Sequence, residues 1–170
     1  MNSPKFSRDL YNKHDTPAKQ NAKRFFKTLG FTPLTETEEY YSKFDFQMTK
    51  QSKTFSVETE IKTCWYNPRF PFNSLDVAGR KSKSTADWFI QFNCDYTALA
   101  VCPMNVVHNS KTYRKNTKYS EDELFYAVDL NQVNFYHKQD TRWVLQTYNN
   151  PLKQHFPTQT LLDKFLNSVP

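Results

Sequence analysis

Between Tyr40 and Cys64 the sequence alternates apolar and polar residues twice, on either side of a short polar break. The first stretch, Tyr40-Tyr41-Ser42-Lys43-Phe44-Asp45-Phe46-Gln47-Met48, is mostly apolar at even positions and carries Lys43, Asp45 and Gln47 at odd ones. The second, Phe55-Ser56-Val57-Glu58-Thr59-Glu60-Ile61-Lys62, puts Phe55, Val57 and Ile61 on one side and Glu58, Glu60 and Lys62 on the other. Successive side chains of a strand point to opposite faces, so each stretch predicts a strand with one core face and one charged face. The break Thr49-Lys50-Gln51-Ser52-Lys53 is short enough to fold the two back as a hairpin. In that hairpin Asp45 can share a face with Glu58, Glu60 and Lys62. Cross-strand ion pairs, worth about a few tenths of a kcal/mol, are one sufficient reason for such a face.

The scarcity of glycine excludes more than any other feature of the composition. Gly30 and Gly79 are the only two in 170 residues. Phosphate-cradling loops, dinucleotide fingerprints and nucleophile elbows need more, so those enzyme classes are set aside. The length suits one domain, residues 1–170, with its own core. A net charge of +6 suits a polyanionic partner, because Lys and Arg contacts to phosphates release condensed counterions. Cys64, Cys94 and Cys102 are odd in number and form no CxxC pair, which argues for free thiols in a reducing compartment. His14, His108, His137 and His155 show no metal-ligand spacing and read as surface residues. No apolar run approaches the roughly 18 residues of a membrane span, and no signal peptide is visible, so the expected location is cytoplasmic, off the membrane.

Asp15 or Thr16 followed by Pro17 is a good helix start, and Gly30 a good stop. Ala18, Ala22, Phe25, Phe26 and Leu29 repeat at helical spacing between them, leaving Lys19, Lys23, Arg24 and Lys27 for a solvated face. Glu36, Glu38 and Glu39 lead into the Asp45 strand. Past Lys62, two prolines make Thr63–Phe72 a loop or an interrupted edge. Its Trp65, Tyr66, Arg69 and Phe70 either cover the core or stack on a base. Residues 73–85 predict a short helix or turn ending in Arg80, Lys81 and Lys83. Strands are expected at Ala86–Phe92 and Leu99–Cys102, with Asp87 structural. His108–Tyr119, with Lys111, Tyr113, Arg114, Lys115 and Lys118, lacks apolar periodicity and reads as a basic, aromatic loop suited to nucleic acid. Strands at Phe125–Val128, Val133–Tyr136 and Trp143–Leu145 and a closing helix carrying Leu161, Leu162, Phe165 and Leu166 complete the chain.

An Asp on one strand followed by Glu-x-Lys on the next resembles the signature of the PD-(D/E)xK nuclease superfamily. Asp45, Glu60 and Lys62 carry the likeness, in a chain where Glu60-Ile61-Lys62 is the single acidic-x-Lys, and Phe44 stands where the name has Pro. The resemblance spans about the first two thirds of the chain. It implies an α/β fold with a restriction-endonuclease-like core at about 14–107, a mixed central β-sheet flanked by helices. Residues 108–170 would then be a β-rich C-terminal extension with the closing helix.

The same resemblance implies a Mg²⁺- or Mn²⁺-dependent endonuclease or exonuclease acting on phosphodiester bonds, in DNA first. Asp45, Glu60 and the carbonyl of Ile61 would hold the metal, and Lys62 would orient or help deprotonate the attacking water and stabilise the phosphate. Glu58 is an additional acid that holds a second metal or pairs with Lys43. Arg80, Lys81, Lys83, Lys111, Arg114, Lys115 and Lys118 are the expected nucleic-acid contacts, and a homodimer is compatible with all of this. The alternative is a catalytically inactive nucleic-acid-binding protein with the same fold. A protein-binding module is a third reading, against which salt-sensitive DNA binding would argue.

Overall fold

The computed structural model describes residues 16–34 and 44–146. Helix α1, Thr16–Thr28, runs as its apolar spacing predicts, with Ala18, Ala22, Phe25 and Phe26 buried. Gly30, at φ 87°, ends it. The Gly30 N–H donates to the Lys27 carbonyl and the Phe31 N–H to that of Phe26, both at 3.0 Å. These are the two bonds of a Schellman cap, and the edge-on contact of Phe26 with Phe31 is its usual apolar companion.

Among the described residues ten strands follow: β1 Thr32–Pro33, β2 Phe46–Lys50, β3 Lys53–Ile61, β4 Leu75–Ala78, β5 Trp88–Phe92, β6 Ala98–Pro103, β7 Lys111–Lys115, β8 Glu123–Val128, β9 Asn134–Gln139 and β10 Arg142–Leu145. Seven form one sheet in the order β1-β2-β3-β5-β6-β9-β10, and three a second in the order β4-β8-β7. The larger sheet is mixed: β3 and β5 run parallel, and the remaining pairs are antiparallel. Parallel neighbours need a crossover, here residues 62–87, which carry β4 to the other face of the sheet. The chain is thus mixed α/β, strand-rich and with few helices.

The β2–β3 hairpin forms with Phe46 opposite Val57 and Met48 opposite Phe55. Its turn is tighter than the five-residue break, since Lys50 pairs with Lys53 and only Gln51 and Ser52, at φ 50° and 66°, lie between. Positive φ at both positions marks a type I′ turn, whose twist matches that of the strands.

Two cores sit on opposite faces of the large sheet. Odd positions of β3 and even positions of β2 and β5 meet α1 on one side, in a cluster built on Phe25, Phe26, Phe46, Val57, Trp88 and Phe92. On the other side Phe89, Ala100, Cys102 and Phe135 meet Leu75, Val77 and Val128 of the small sheet. A flanking helix was expected there. Strands cover that face instead, and α2, Met104–His108, is a short turn beside them.

Three further expectations change. Lys111–Lys115 is strand β7, not a loop: its ladder to β8 pairs Tyr113 with Phe125, and the two rings stack. Leu75–Ala78 is a strand, and only Gly79–Lys83 forms the basic 3₁₀ turn. Gly79 is required there, because a Cβ would lie 2.9 Å from Leu124. The β-rich extension is divided, β7 and β8 joining β4 while β9 and β10 extend the large sheet. The expected closing helix, Glu36, Glu38, Glu39, Lys43, His14 and His155 lie outside the described residues.

Candidate functional site

Strand β3 delivers its even residues to the face covered by β4 and the 3₁₀ turn. Glu58 meets the turn: Lys81 Nζ forms a short ion pair with Glu58 Oε1, and Ser84 Oγ lies 3.3 Å from Oε2. Glu60 meets β5, where Gln91 Nε2 donates to Oε1 at 3.1 Å. Lys62 continues the ladder, its N–H donating to the Phe92 carbonyl at 2.8 Å, and its Nζ lies 4.9 Å from the centre of the Phe72 ring. The three charges of Glu58-x-Glu60-x-Lys62 therefore share one face, as alternation predicts.

Asp45 sits where β2 begins. Its N–H donates to the Val57 carbonyl, so continuing the register places it opposite Glu58. One oxygen, Oδ2, accepts from both the Thr59 N–H at 2.7 Å and the Thr59 hydroxyl at 2.8 Å, which closes the open end of the ladder. The other, Oδ1, lies 3.9 Å from Lys19 Nζ. Lys19 is buried, not solvated, so α1 contributes a cation to this corner. Asp87 has the structural part expected of it, Oδ2 accepting from the Ser56 N–H at 2.8 Å where β5 begins.

Electrostatics distinguish the acids. Burial, reinforced by the Asp45 carboxylate, holds the Glu58 pKa above the usual glutamate value against the pull of Lys81 and Ser84. Asp76, on β4, behaves oppositely. Burial would raise it, but hydrogen bonds from Tyr113, Lys115 and Ser74, with the charge of Lys62, together hold it low. Tyr113 and Lys115 both titrate high, their loss of solvent outweighed in Lys115 by the two partners.

The basic residues divide by partner. Arg80, Lys83, Lys111 and Lys118 are exposed. Lys81 is turned inward to Glu58, Lys115 bonds Asp76 at 3.0 Å, and Arg114 bonds Asp122 at 3.2 Å. Trp65 and Phe70 are buried against Phe135, which settles them as core, whereas Tyr66 is exposed. His108 and His137 are half-buried, not surface residues; His108 Nε2 is 3.2 Å from the Lys81 carbonyl. Cys64, Cys94 and Cys102 are free thiols, and burial pushes Cys102 up to about 12.

Sequence reasoning missed Lys19, Asp76 and Gln91. Lys19 falls on the helix face assigned to solvent. Asp76 lies in a stretch with no acid-x-Lys motif, and Gln91 sits at the middle of an otherwise apolar run. Gln91 on β5 is directly opposite Glu60 in the parallel ladder, a relation that only the strand order reveals.

Among the described residues Glu60 Oε2 is a buried carboxylate oxygen with no hydrogen-bond partner, whereas Asp45 is held by Thr59 and faces Lys19 on the α1 side, and Glu58 is held by Lys81 and Ser84. Among the described residues no group of three or more His, Cys, Asp or Glu is placed to enclose a metal. Mg²⁺ commonly needs only one or two carboxylates and keeps several waters, so Glu60 is the acid here that would offer it an oxygen. Among the described residues no helix is long and apolar enough to cross a membrane. Comparison with protein-family models, with curated proteins and with solved structures gives no match.

Proposed function

We propose that the protein is a metal-dependent nuclease that hydrolyses phosphodiester bonds, DNA being the first substrate to test. The observation that carries this reading is the emergence of Glu58, Glu60 and Lys62 on one face of β3, with Asp45 at the adjoining end of β2. Asp45, Glu60 and the Ile61 carbonyl would hold the metal. Bound there, Mg²⁺ or Mn²⁺ would neutralise charge on the phosphate and lower the pKa of a coordinated water. Lys62 follows β3 directly, with its ammonium over the Phe72 ring, and would stabilise charge developing on the phosphate and orient the water. Exposed Arg80, Lys83, Lys111 and Lys118 hold the backbone of the nucleic acid. On this reading the protein works in the cytoplasm, and a homodimer suits duplex cleavage.

Lys62 separates an enzyme from a binding protein. Lys62→Ala should fold, because the side chain is only half-buried, on the charged face. It should lose cleavage by at least about 100-fold, on the order of one oxyanion-type contact, with DNA affinity unchanged. The assay uses plasmid and branched DNA with Mg²⁺, Mn²⁺ or EDTA. Cleavage by Lys62→Ala at the wild-type rate removes the catalytic assignment. Wild-type binding without cleavage under either metal favours the inactive nucleic-acid-binding reading.

A further inference from the structure

We propose that Gln91 is a positioning residue for Glu60, fixing the carboxylate so that one oxygen stays open to the divalent cation. The inference rests on the nuclease reading and names a residue that its motif does not contain. Gln91 is 0 % exposed, the next-to-last residue of β5, and directly opposite Glu60. Both of its amide hydrogens have acceptors: Glu60 Oε1 at 3.1 Å and the Asp76 carbonyl oxygen at 3.3 Å. Those two acceptors dictate which way the amide points, because a flipped group would set its oxygen against two other oxygens.

The same side chain therefore touches β3, through Glu60, and the backbone of β4 in the second sheet. Glu60 is restrained at Oε1 by a donor that is itself fixed at both hydrogens. Among the described residues two buried acceptors of this pair remain with no hydrogen-bond partner, Glu60 Oε2 and Gln91 Oε1. Orphaned acceptors are uncommon in folded interiors and call for a proton donor, a water or a cation. A carboxylate held at one oxygen and open at the other is how an outer-shell partner presents a metal ligand. Burial of a glutamine only to bridge two sheets would leave Glu60 Oε2 unexplained.

The test is Mn²⁺ titration of the whole protein by calorimetry, without nucleic acid, beside DNA cleavage as a function of Mn²⁺. Gln91→Met keeps the volume and removes both donors. It should weaken Mn²⁺ binding about 10- to 100-fold, and cleavage should recover as Mn²⁺ is raised. Gln91→Asn, polar but one methylene too short to reach Glu60, should behave alike and serves if the Met variant does not fold. Asn93→Ala is the control. Asn93 is equally buried and close by in sequence, but its amide holds the Thr97 hydroxyl and the Ala98 N–H. Its loss should lower the melting temperature without moving Mn²⁺ affinity. Equal Mn²⁺ affinity in wild type and Gln91→Met overturns the role of Gln91 and leaves the nuclease reading standing. Equal weakening in Asn93→Ala also overturns it, and a wild type that binds no Mn²⁺ overturns both.

Discussion

Asp45 caps the ladder through Thr59 and, on the nuclease reading, would also hold the metal, two tasks that a single substitution can separate. Its Oδ2 alone accepts both bonds from Thr59, and Thr59 is buried, so Asp45→Ala strands a backbone N–H and a hydroxyl at the end of the ladder. A hydrogen bond to a charged group contributes about 1.5–3 kcal/mol, which sets the expected loss in urea unfolding. Asp45→Asn retains one carbonyl oxygen that can accept both bonds, and should keep most of that stability. Both variants lose the negative charge, so both should lose Mn²⁺ binding in a calorimetric titration. If Asp45→Asn binds Mn²⁺ like wild type, the acid is a ladder cap and nothing more. The sequence made the co-facial charges of β3 legible because period two is insensitive to exact register. It could not assign partners, since Lys81 reaches Glu58 across 23 positions and Gln91 reaches Glu60 across 31.

Among the elements, β7 shows why some strands escape a sequence reading. Lys111-Thr112-Tyr113-Arg114-Lys115 alternates, but one side carries lysines and a tyrosine where an apolar stripe would be recognised. Lys115 nonetheless behaves as an inward residue, with its Nζ over the Phe125 ring and bonded to Asp76. The hairpin, by contrast, was legible from its pattern, while its two-residue turn was not, because neither Gln51 nor Ser52 is the glycine or asparagine that usually marks positive φ. Pairing also sorts the cations. Lys81 and Lys115 are committed to Glu58 and Asp76, so substituting them disturbs the fold as well as any interface. The informative set is Arg80, Lys83, Lys111 and Lys118. Replacing all four with Gln should weaken DNA binding and reduce the slope of log affinity against log salt by about 1 for each phosphate no longer neutralised. Fluorescence anisotropy over a salt series reads both. An unchanged slope places the interface on another face.

For the molecule as a whole, the second sheet decides the architecture, and it is the part the sequence concealed. β4 ends at Ala78, far ahead of its sheet neighbours, which begin at Lys111 and Glu123. It also lies in a crossover whose prolines and basic end suggest irregular chain. Asp76 ties that sheet together. Ala127 stands opposite Asp76 in the ladder, and its small side chain leaves room for the carboxylate to reach past β8 to Tyr113 and Lys115 on β7. Ser74 Oγ donates to the second oxygen at 2.8 Å. These bonds favour the charged form, so the folded-state pKa lies below the ordinary aspartate value of 3.8. For a lowered acid the stabilisation is complete above the unfolded value and disappears as pH falls through the folded one. Glu58 acts in the opposite sense: its raised pKa makes the folded state hold a proton more tightly, which penalises the fold as pH rises past the usual glutamate range. The Asp76 contribution changes below 3.8 and the Glu58 contribution above 4.5, so the two act in adjoining windows of the wild-type curve. Comparison with Asp76→Asn isolates one of them. An amide cannot accept at both positions, so the variant should lose about 1–3 kcal/mol at neutral pH, the cost of breaking buried hydrogen bonds to a charge. That deficit should shrink steadily below pH 3.8, where Asp76 is protonated in the unfolded chain ahead of the folded one. Urea unfolding of both proteins from about pH 7 down to about pH 2.5 measures it. A deficit that stays constant into acid would show that Asp76 holds the small sheet by shape and not by charge.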